Sequence, residues 1–217
     1  MKLSTKKGEN QVNFLAIDTA DRYLTVTVKK NEEYFSTFLP DCAMKHSVSL
    51  MEAVEKTLSQ ADMRLEDCDF FAAVVGAGSF TGIRIAISAV KGFCLALKKP
   101  SLAVTSFDLA AYNTVNSEKL LCLVDALHDC YYACGYEKGE VSYAPAYLTE
   151  EEVLALAKDG FMLCACSPIP LAEKADVKIV DPVIGLQKAV TALSKKNKFG
   201  ALEALYVRKS SAELNQK

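Results

Sequence analysis

Residues able to do acid–base, metal or phosphate chemistry are sparse in this chain, and their spacing limits what they can do. The histidines are His46 and His128. His46 opens an amphipathic helical pattern, and four residues on, where a second metal ligand on the same helical face would stand, the residue is Leu50. A lone imidazole beside a helix start is more often a cap or a surface group than a ligand. His128 falls in a turn with no local partner. The eight cysteines, at positions 42, 68, 94, 122, 130, 134, 164 and 166, include no Cys-x-x-Cys. Cys94, Cys122 and Cys164 sit inside apolar patterns, where a thiol behaves as a small hydrophobe. No zinc site is expected from these spacings. Ser79 has no base near it in sequence, so nucleophilic chemistry lacks a partner as well.

The densest candidate is Gly76-Ala77-Gly78-Ser79-Phe80-Thr81-Gly82-Ile83-Arg84. It lies between an apolar run, Phe70 to Val75, and a helical apolar pattern ending near Leu97. Gly76 and Gly78 permit the positive φ that a sharp strand-to-helix turn needs. Ser79 is placed to cap the helix, with Thr81 and Gly82 in its first turn. Exposed amides at a helix N-terminus make an anion site by geometry alone. The stretch is neither a Walker loop nor the three-glycine dinucleotide fingerprint. Either a phosphate-like ligand or packing alone would account for it. Asp18 and Thr19, at the end of the first strand, join Gly78 and Ser79 as weak cofactor-binding candidates.

The elements that must position these residues follow from periodicity. Val12 to Ile17, Tyr23 to Val28 and Tyr34 to Leu39 read as an antiparallel meander. Pro40-Asp41 breaks it, and His46 to Gln60 carries Leu50, Met51, Val54 and Leu58 at helical spacing. Phe70 to Val75 is a continuous apolar strand of the kind a central parallel position needs. The helix after Ser79, a strand from Leu102 to Val104, and a helix from Phe107 to Asn113 capped by Thr105 or Ser106 complete a βββαβαβα order. A second series has strands at Leu120 to Val124, Tyr131 to Tyr136 and Val141 to Leu148. A helix then starts at Thr149 with Glu150, Glu151 and Glu152 at its positive end. Short strands at Phe161 to Cys166 and Val177 to Val180 precede a last helix from Pro182 to Leu193.

The order predicts an α/β protein with two lobes of mixed sheets flanked by helices. The first resembles the ribonuclease-H-like half of actin-like ATPases, and the second is a degenerate counterpart. The expected divisions are a polar tail at 1–11, a first lobe at 12–110 and a smaller second lobe at 111–217. Residues 195–217 read as a polar, partly disordered end. In actin-like ATPases the first strand ends in an Asp that serves the metal and phosphate, followed by a glycine-rich loop. Here Ala20-Asp21-Arg22-Tyr23 follows Asp18-Thr19 and supplies no glycine, so ATP binding looks eroded and any nucleotide affinity weak. Asp18 is better read as a carboxylate capping its own turn.

Composition is that of an ordinary globular chain, with 51% hydrophobic and 24% charged residues among 217. The net charge of −2 excludes bulk electrostatic attraction to nucleic acid, so RNA contact would need a local patch or a partner. No apolar run was expected to approach a membrane span. The lysine-bearing start lacks the apolar core of a secretory signal, which, with unpaired thiols, points to the cytoplasm.

The glycine stretch, with Val90-Lys91-Gly92 beyond it, resembles the Gly-Pro-Gly-Ser-Phe-Thr-Gly-(Ile/Leu)-Arg pattern of the TsaB family. The resemblance continues in Leu15-Ala16-Ile17-Asp18-Thr19-Ala20, in His46-Ser47, in Asp125-Ala126 with Tyr131-Tyr132, and in Tyr206-Val207-Arg208. It covers nearly all of the chain after the first ten or so residues, and the glycine stretch is its specific part. Ala77 stands where the family has proline, and Leu127 where Asp-Ala is followed by arginine. TsaB is the non-catalytic partner in bacterial threonylcarbamoyladenosine (t6A) modification of tRNA. The resemblance therefore implies a scaffold that binds the catalytic paralogue TsaD and, through it, the ATPase TsaE and tRNA. It also implies a homodimer when the chain is alone, and no membrane. TsaD carries a His-x-x-x-His pair for its metal, which Leu50 breaks here. The alternatives from the superfamily are an ATPase or small-molecule kinase and, further off, a metallopeptidase.

The helix after Ser79 is apolar on two faces and carries only Arg84, Lys91 and Lys98 as charges. One face can rest on a sheet. The other, rich in small residues, suits close approach by another helix. Val48, Met51, Ile85, Ala89 and Gly92 are the expected partner interface.

Overall fold

The computed structural model describes residues 12–114 and 119–208. The first lobe contains β1 (Phe14–Asp18), β2 (Leu24–Lys30), β3 (Glu33–Leu39), α1 (His46–Gln60), β4 (Phe70–Val74), α2 (Phe80–Leu97) and β5 (Ser101–Val104), and ends in α3 (Ser106–Asn113). The second contains β6 (Lys119–Asp125), β7 (Cys130–Glu137), β8 (Glu140–Thr149), α4 (Glu150–Lys158), β9 (Met162–Ala165) and β10 (Val177–Ile179), and ends in α5 (Pro182–Lys195). Each lobe is built on a five-stranded sheet, in the orders β3-β2-β1-β4-β5 and β8-β7-β6-β9-β10. The two orders are the same topology repeated. The second lobe has no long helix between β9 and β10, which is how it is degenerate.

The first sheet alternates its side chains between two helical layers. Phe71 of β4 packs on Phe93 of α2, with ring centroids 5.5 Å apart. Register carries that face across from Phe71 to Leu15, Val28 and Phe35. Thr37, two residues on, meets Thr57 of α1 at 2.8 Å between hydroxyls. Thus α1 and α2 share one face. On the other face Phe70, Phe14, Lys29 and Tyr34 align, and the Tyr34 hydroxyl lies 2.7 Å from Thr191 of α5. All five residues of β1 and of β4 are buried, as strands covered on both sides must be.

The covering of that second face does not follow chain order. Helix α5, assigned by chain order to the second lobe, lies on β1, β2, β3 and β5. Helix α3 lies instead against β6, β7 and β9. The lobes exchange their closing helices, which cross at Gly185, where an added Cβ would come 2.6 Å from the Leu109 carbonyl oxygen. Amphipathicity shows that a helix has a buried side but not which sheet buries it.

Two further expectations change. Helix α2 is long and apolar enough, by length and composition, to cross a membrane, contrary to the absence of such a run. Its Ile83, Ala86, Ile87 and Val90 are buried, and the helix packs on β4, β1 and β5. The segment after α5, read as polar and partly disordered, is held in place through residue 208. Phe199 bridges Leu102 at the β5 edge and packs on Phe70 at 5.0 Å. The Gly200 amide donates to Ser101 O at 3.1 Å and the Leu205 amide to Val75 O at 2.7 Å. Apolar residues spaced among the polar ones anchor it. Residues 1–11, 115–118 and 209–217, and with them the expected tail and part of the expected polar end, lie outside the described residues.

Truncating Phe199 to Ala should cost about 2 kcal/mol, the lower end for large-to-small changes because the ring is only partly buried. The melting temperature should fall by roughly 4–8 °C, and limited proteolysis should cut first within 199–208. An unchanged melt and cutting pattern would mean that this segment adds nothing to stability.

Candidate functional site

A cleft of about 390 Å³ opens between the lobes, bordered by the β1–β2 turn, the glycine stretch, the end of β6 and the residues after β9. Ser79 caps α2, its hydroxyl accepting from the Gly82 amide at 3.2 Å, as its position predicts. Its own amide donates to Ala20 O at 2.7 Å. Gly78, at φ +148°, would drive a Cβ into the Ala20 carbonyl, and Gly82 would drive one into the Thr19 carbonyl. The Thr19 hydroxyl donates to Gly82 O at 2.7 Å. Glycine is therefore required here by the close approach of the β1–β2 turn. On the other side the Ser106 amide donates to Gly76 O at 2.7 Å and the Ser106 hydroxyl to Ala77 O at 2.6 Å.

The four cofactor candidates separate. Gly78 and Ser79 line the cleft, whereas Asp18 and Thr19 do not and are fully buried. Asp18 Oδ1 accepts from the Ala20 amide at 2.8 Å, so the carboxylate caps its own turn. Asp125, at the equivalent end of β6, accepts from the Leu127 amide at 2.8 Å in the same way. Asp18 Oδ2 is buried without a hydrogen-bond partner among the described residues, as is Thr25 Oγ1, its cross-strand neighbour. Burial raises the Asp18 pKa to about 7, against the Ala20 amide. The negative charge of Asp21 adds to the rise, and the Tyr23 hydroxyl, nearby but outside hydrogen-bonding geometry, subtracts a little. Burial first, and then the Asp18 charge, push the Tyr23 phenol well up. Asp21 ties the lobes together, its Oδ2 accepting from the Ser167 hydroxyl at 2.6 Å.

His46 is neither a cap nor a surface group. It is buried, with Nε2 2.9 Å from the Tyr23 carbonyl oxygen, tying the start of α1 to the β1–β2 turn. His128 is exposed at φ +54°, between Leu127 and Asp129, which are also at positive φ. No three His, Cys, Asp or Glu side chains among the described residues gather where a metal ion could be held.

The expected interface residues lie on the helical layer formed by α1 and α2. Val48 is 80% exposed, Met51 is exposed, Ile85 and Ala89 are half-buried, and an added Cβ on Gly92 would meet nothing within 4 Å. Met44 and Leu95, exposed alongside them, escaped the sequence reading. So did the end of the described chain, which straps the lobes. The Tyr206 ring stacks on Phe80 at 4.5 Å, and Arg84 Nε donates to its hydroxyl at 2.9 Å. Two residues on, Arg208 Nη1 donates to the Tyr147 hydroxyl of β8 at 3.1 Å. An aromatic and an arginine in a polar tail were the available signal.

Two lobes of repeated topology, a cleft between them and exchanged closing helices define an actin-like ATPase fold. The chain belongs to the TsaD family, described as tRNA N6-adenosine threonylcarbamoyltransferase, whose model matches residues 26–204. It is 30% identical over 115 residues to the tRNA threonylcarbamoyladenosine biosynthesis protein TsaB of Buchnera aphidicola subsp. Schizaphis graminum (strain Sg), covering 52% of this chain and 54% of that one. It is 30% identical over 102 residues to the TsaB of Bacillus subtilis (strain 168), covering 47% and 44%. The chain thus spans about half the length of the curated relatives it matches. YeaZ from Pseudomonas aeruginosa superimposes with a TM-score of 0.73 at 23% identity, over 90% of this chain and 99% of that one, and carries the same fold.

The Asp18 shift has a measurable sign. Its folded pKa lies above its unfolded value of about 3.8, so the folded chain keeps a proton that the unfolded chain releases. Stability is therefore lost as pH rises through that window, on the order of 4 kcal/mol by pH 8. Asp18→Asn should flatten the fall in melting temperature between pH 5 and pH 8. Equal slopes in the two proteins would refute it.

Proposed function

We propose that this chain is a non-catalytic scaffold subunit of the assembly that makes t6A at position 37 of tRNA. It binds and stabilises a TsaD-type paralogue, with a TsaE-type ATPase and tRNA joining through that pair. The paralogue carries the transfer of the threonylcarbamoyl group to N6 of adenosine, and the assembly works in the cytoplasm. Alone, the chain pairs with a second copy through the same surface.

The observation that carries this proposal is α2. Only 28% of its apolar eighteen residues are buried. Its exposed residues in the C-terminal half include Gly92, Leu95 and Ala96. This small and apolar surface, beside exposed Val48 and Met51 of α1, calls for a cover that the described residues do not supply. Val48, Met51, Ile85, Ala89 and Gly92 form the centre of that surface. Gly92 and Ala89 let a matching helix pair come close, giving a bundle of four helices. The names of the relatives supply the pathway. The cleft supports a scaffold over an ATPase or kinase, because Asp18, at the position that would serve metal and phosphate, lies outside it.

Ala89→Glu should abolish binding to the paralogue and self-association while the circular dichroism spectrum stays native. A charge buried there loses hydration without a counter-ion, at a cost of several kcal/mol. Pull-down and light scattering would show normal pairing if the surface is elsewhere, and an unfolded variant would place Ala89 in the chain's own core.

Deleting the gene, where no second copy exists, should remove t6A from tRNA. Normal t6A in nucleosides from the deletion strain would contradict the pathway.

A further inference from the structure

Arg84 is held in a way that packing alone does not require. Its guanidinium carbon lies 3.8 Å from the centroid of the Phe80 ring, and its Nε donates to the Tyr206 hydroxyl at 2.9 Å. Tyr206 is itself stacked on Phe80, with 27° between the rings. The side chain is therefore fixed before any ligand arrives, and little further entropy is lost when it binds. Nη1 and Nη2 make no hydrogen bond or ion pair among the described residues. Arg84, Ser88, Lys91 and Leu95 follow at three- or four-residue steps and are all exposed, so they form one ridge of α2, with Gly92 beside it. The fork is thus continuous with the apolar docking surface.

A planar fork with Nε already engaged is left with its end-on pair, Nη1 and Nη2, for a bidentate acceptor. The fork lies against the Phe80 ring, on which Tyr206 is stacked, and Lys91 is about two turns away along the ridge. The acceptor must therefore arrive on a surface that is apolar where it meets the two rings. A protein carboxylate meets that condition and an RNA backbone does not, since every phosphate in it carries charge and water. We propose that Arg84 is a carboxylate-binding anchor at one end of the α1/α2 surface, receiving an Asp or Glu side chain from the docked TsaD-type paralogue. This rests on the docking role proposed above. Tyr206 and Phe80 position the fork, giving the end of the described chain a part in partner recognition.

The test is isothermal titration of the full chain with the purified paralogue of the same organism, at 50 and 500 mM NaCl. Arg84→Gln should weaken binding about thirty-fold at low salt and remove most of its salt dependence. Arg84→Lys keeps the charge but not the fork, and should recover only a small part of the loss. Tyr206→Phe keeps the ring stack and loses the Nε bond, so a few-fold loss with a native melting curve is expected even if an Arg84 variant melts early. If Ala89→Glu abolishes binding while Arg84→Gln binds within two-fold of the parent with the same salt dependence, the anchor is wrong and the docking surface stands. If Ala89→Glu binds normally, the docking surface itself falls. If Arg84→Gln loses affinity for tRNA and keeps it for the paralogue, the acceptor is a phosphate and the proposal is overturned.

Discussion

The approach of α3 to α5 at Gly185 is the contact on which the two lobes depend. A methyl group there would lie 2.6 Å from the Leu109 carbonyl oxygen, so the crossing distance is set by the absence of a side chain. Around it, Asn113 Nδ2 donates to Asp181 O and Lys188 donates to Asn113 Oδ1, both at 3.0 Å. Because each helix covers the other lobe's sheet, moving them apart would open both cores at once. Leu186, Ala189 and Val190 of α5 sit in the first core, and Phe107 and Ala110 of α3 in the core beneath the second sheet. The lobes are therefore one packed body, and the cleft between them is shaped by that crossing.

The same economy of space explains the glycine stretch. Gly78 and Gly82 lie against the backbone carbonyls of Ala20 and Thr19, and the Ser79 amide is bonded to Ala20. Asp18 and Asp125, which end the first strand of each lobe, each accept from the amide two residues ahead. Groups that could have cradled a phosphate hold the protein to itself. Among the residues left outward along α1 and α2, Val48, Met51 and Leu95 are large and apolar.

Much of the fold was legible. Alternating and continuous apolar runs marked every strand, and Ser79, Thr105, Thr149 and Pro182 marked helix starts. Periodicity is local, however, and the exchange of α3 and α5 is not, so the sheet that each closing helix covers was not legible. The end of the chain was misread because four apolar side chains, Phe199, Leu202, Leu205 and Tyr206, are spread through polar neighbours without a period. His46 was expected near the surface because a sequence cannot show that the Tyr23 carbonyl waits beside it. The outward residues of α2 were legible for a physical reason. A helix apolar on more than one side contradicts burial by a single sheet.

The exchanged helices also dictate an order of assembly. During synthesis the strands of the first sheet emerge early, yet the helix that covers their second face begins only at Pro182 and the segment that closes the β5 edge follows it. Until those residues leave the ribosome, Phe14, Phe70 and Tyr34 have no cover. The first lobe can thus collapse but not close while the chain is still growing. Contacts so distant in sequence make folding slow for a protein of this size. Completion of the segment from Pro182 onward is what converts a half-covered first sheet into a native one.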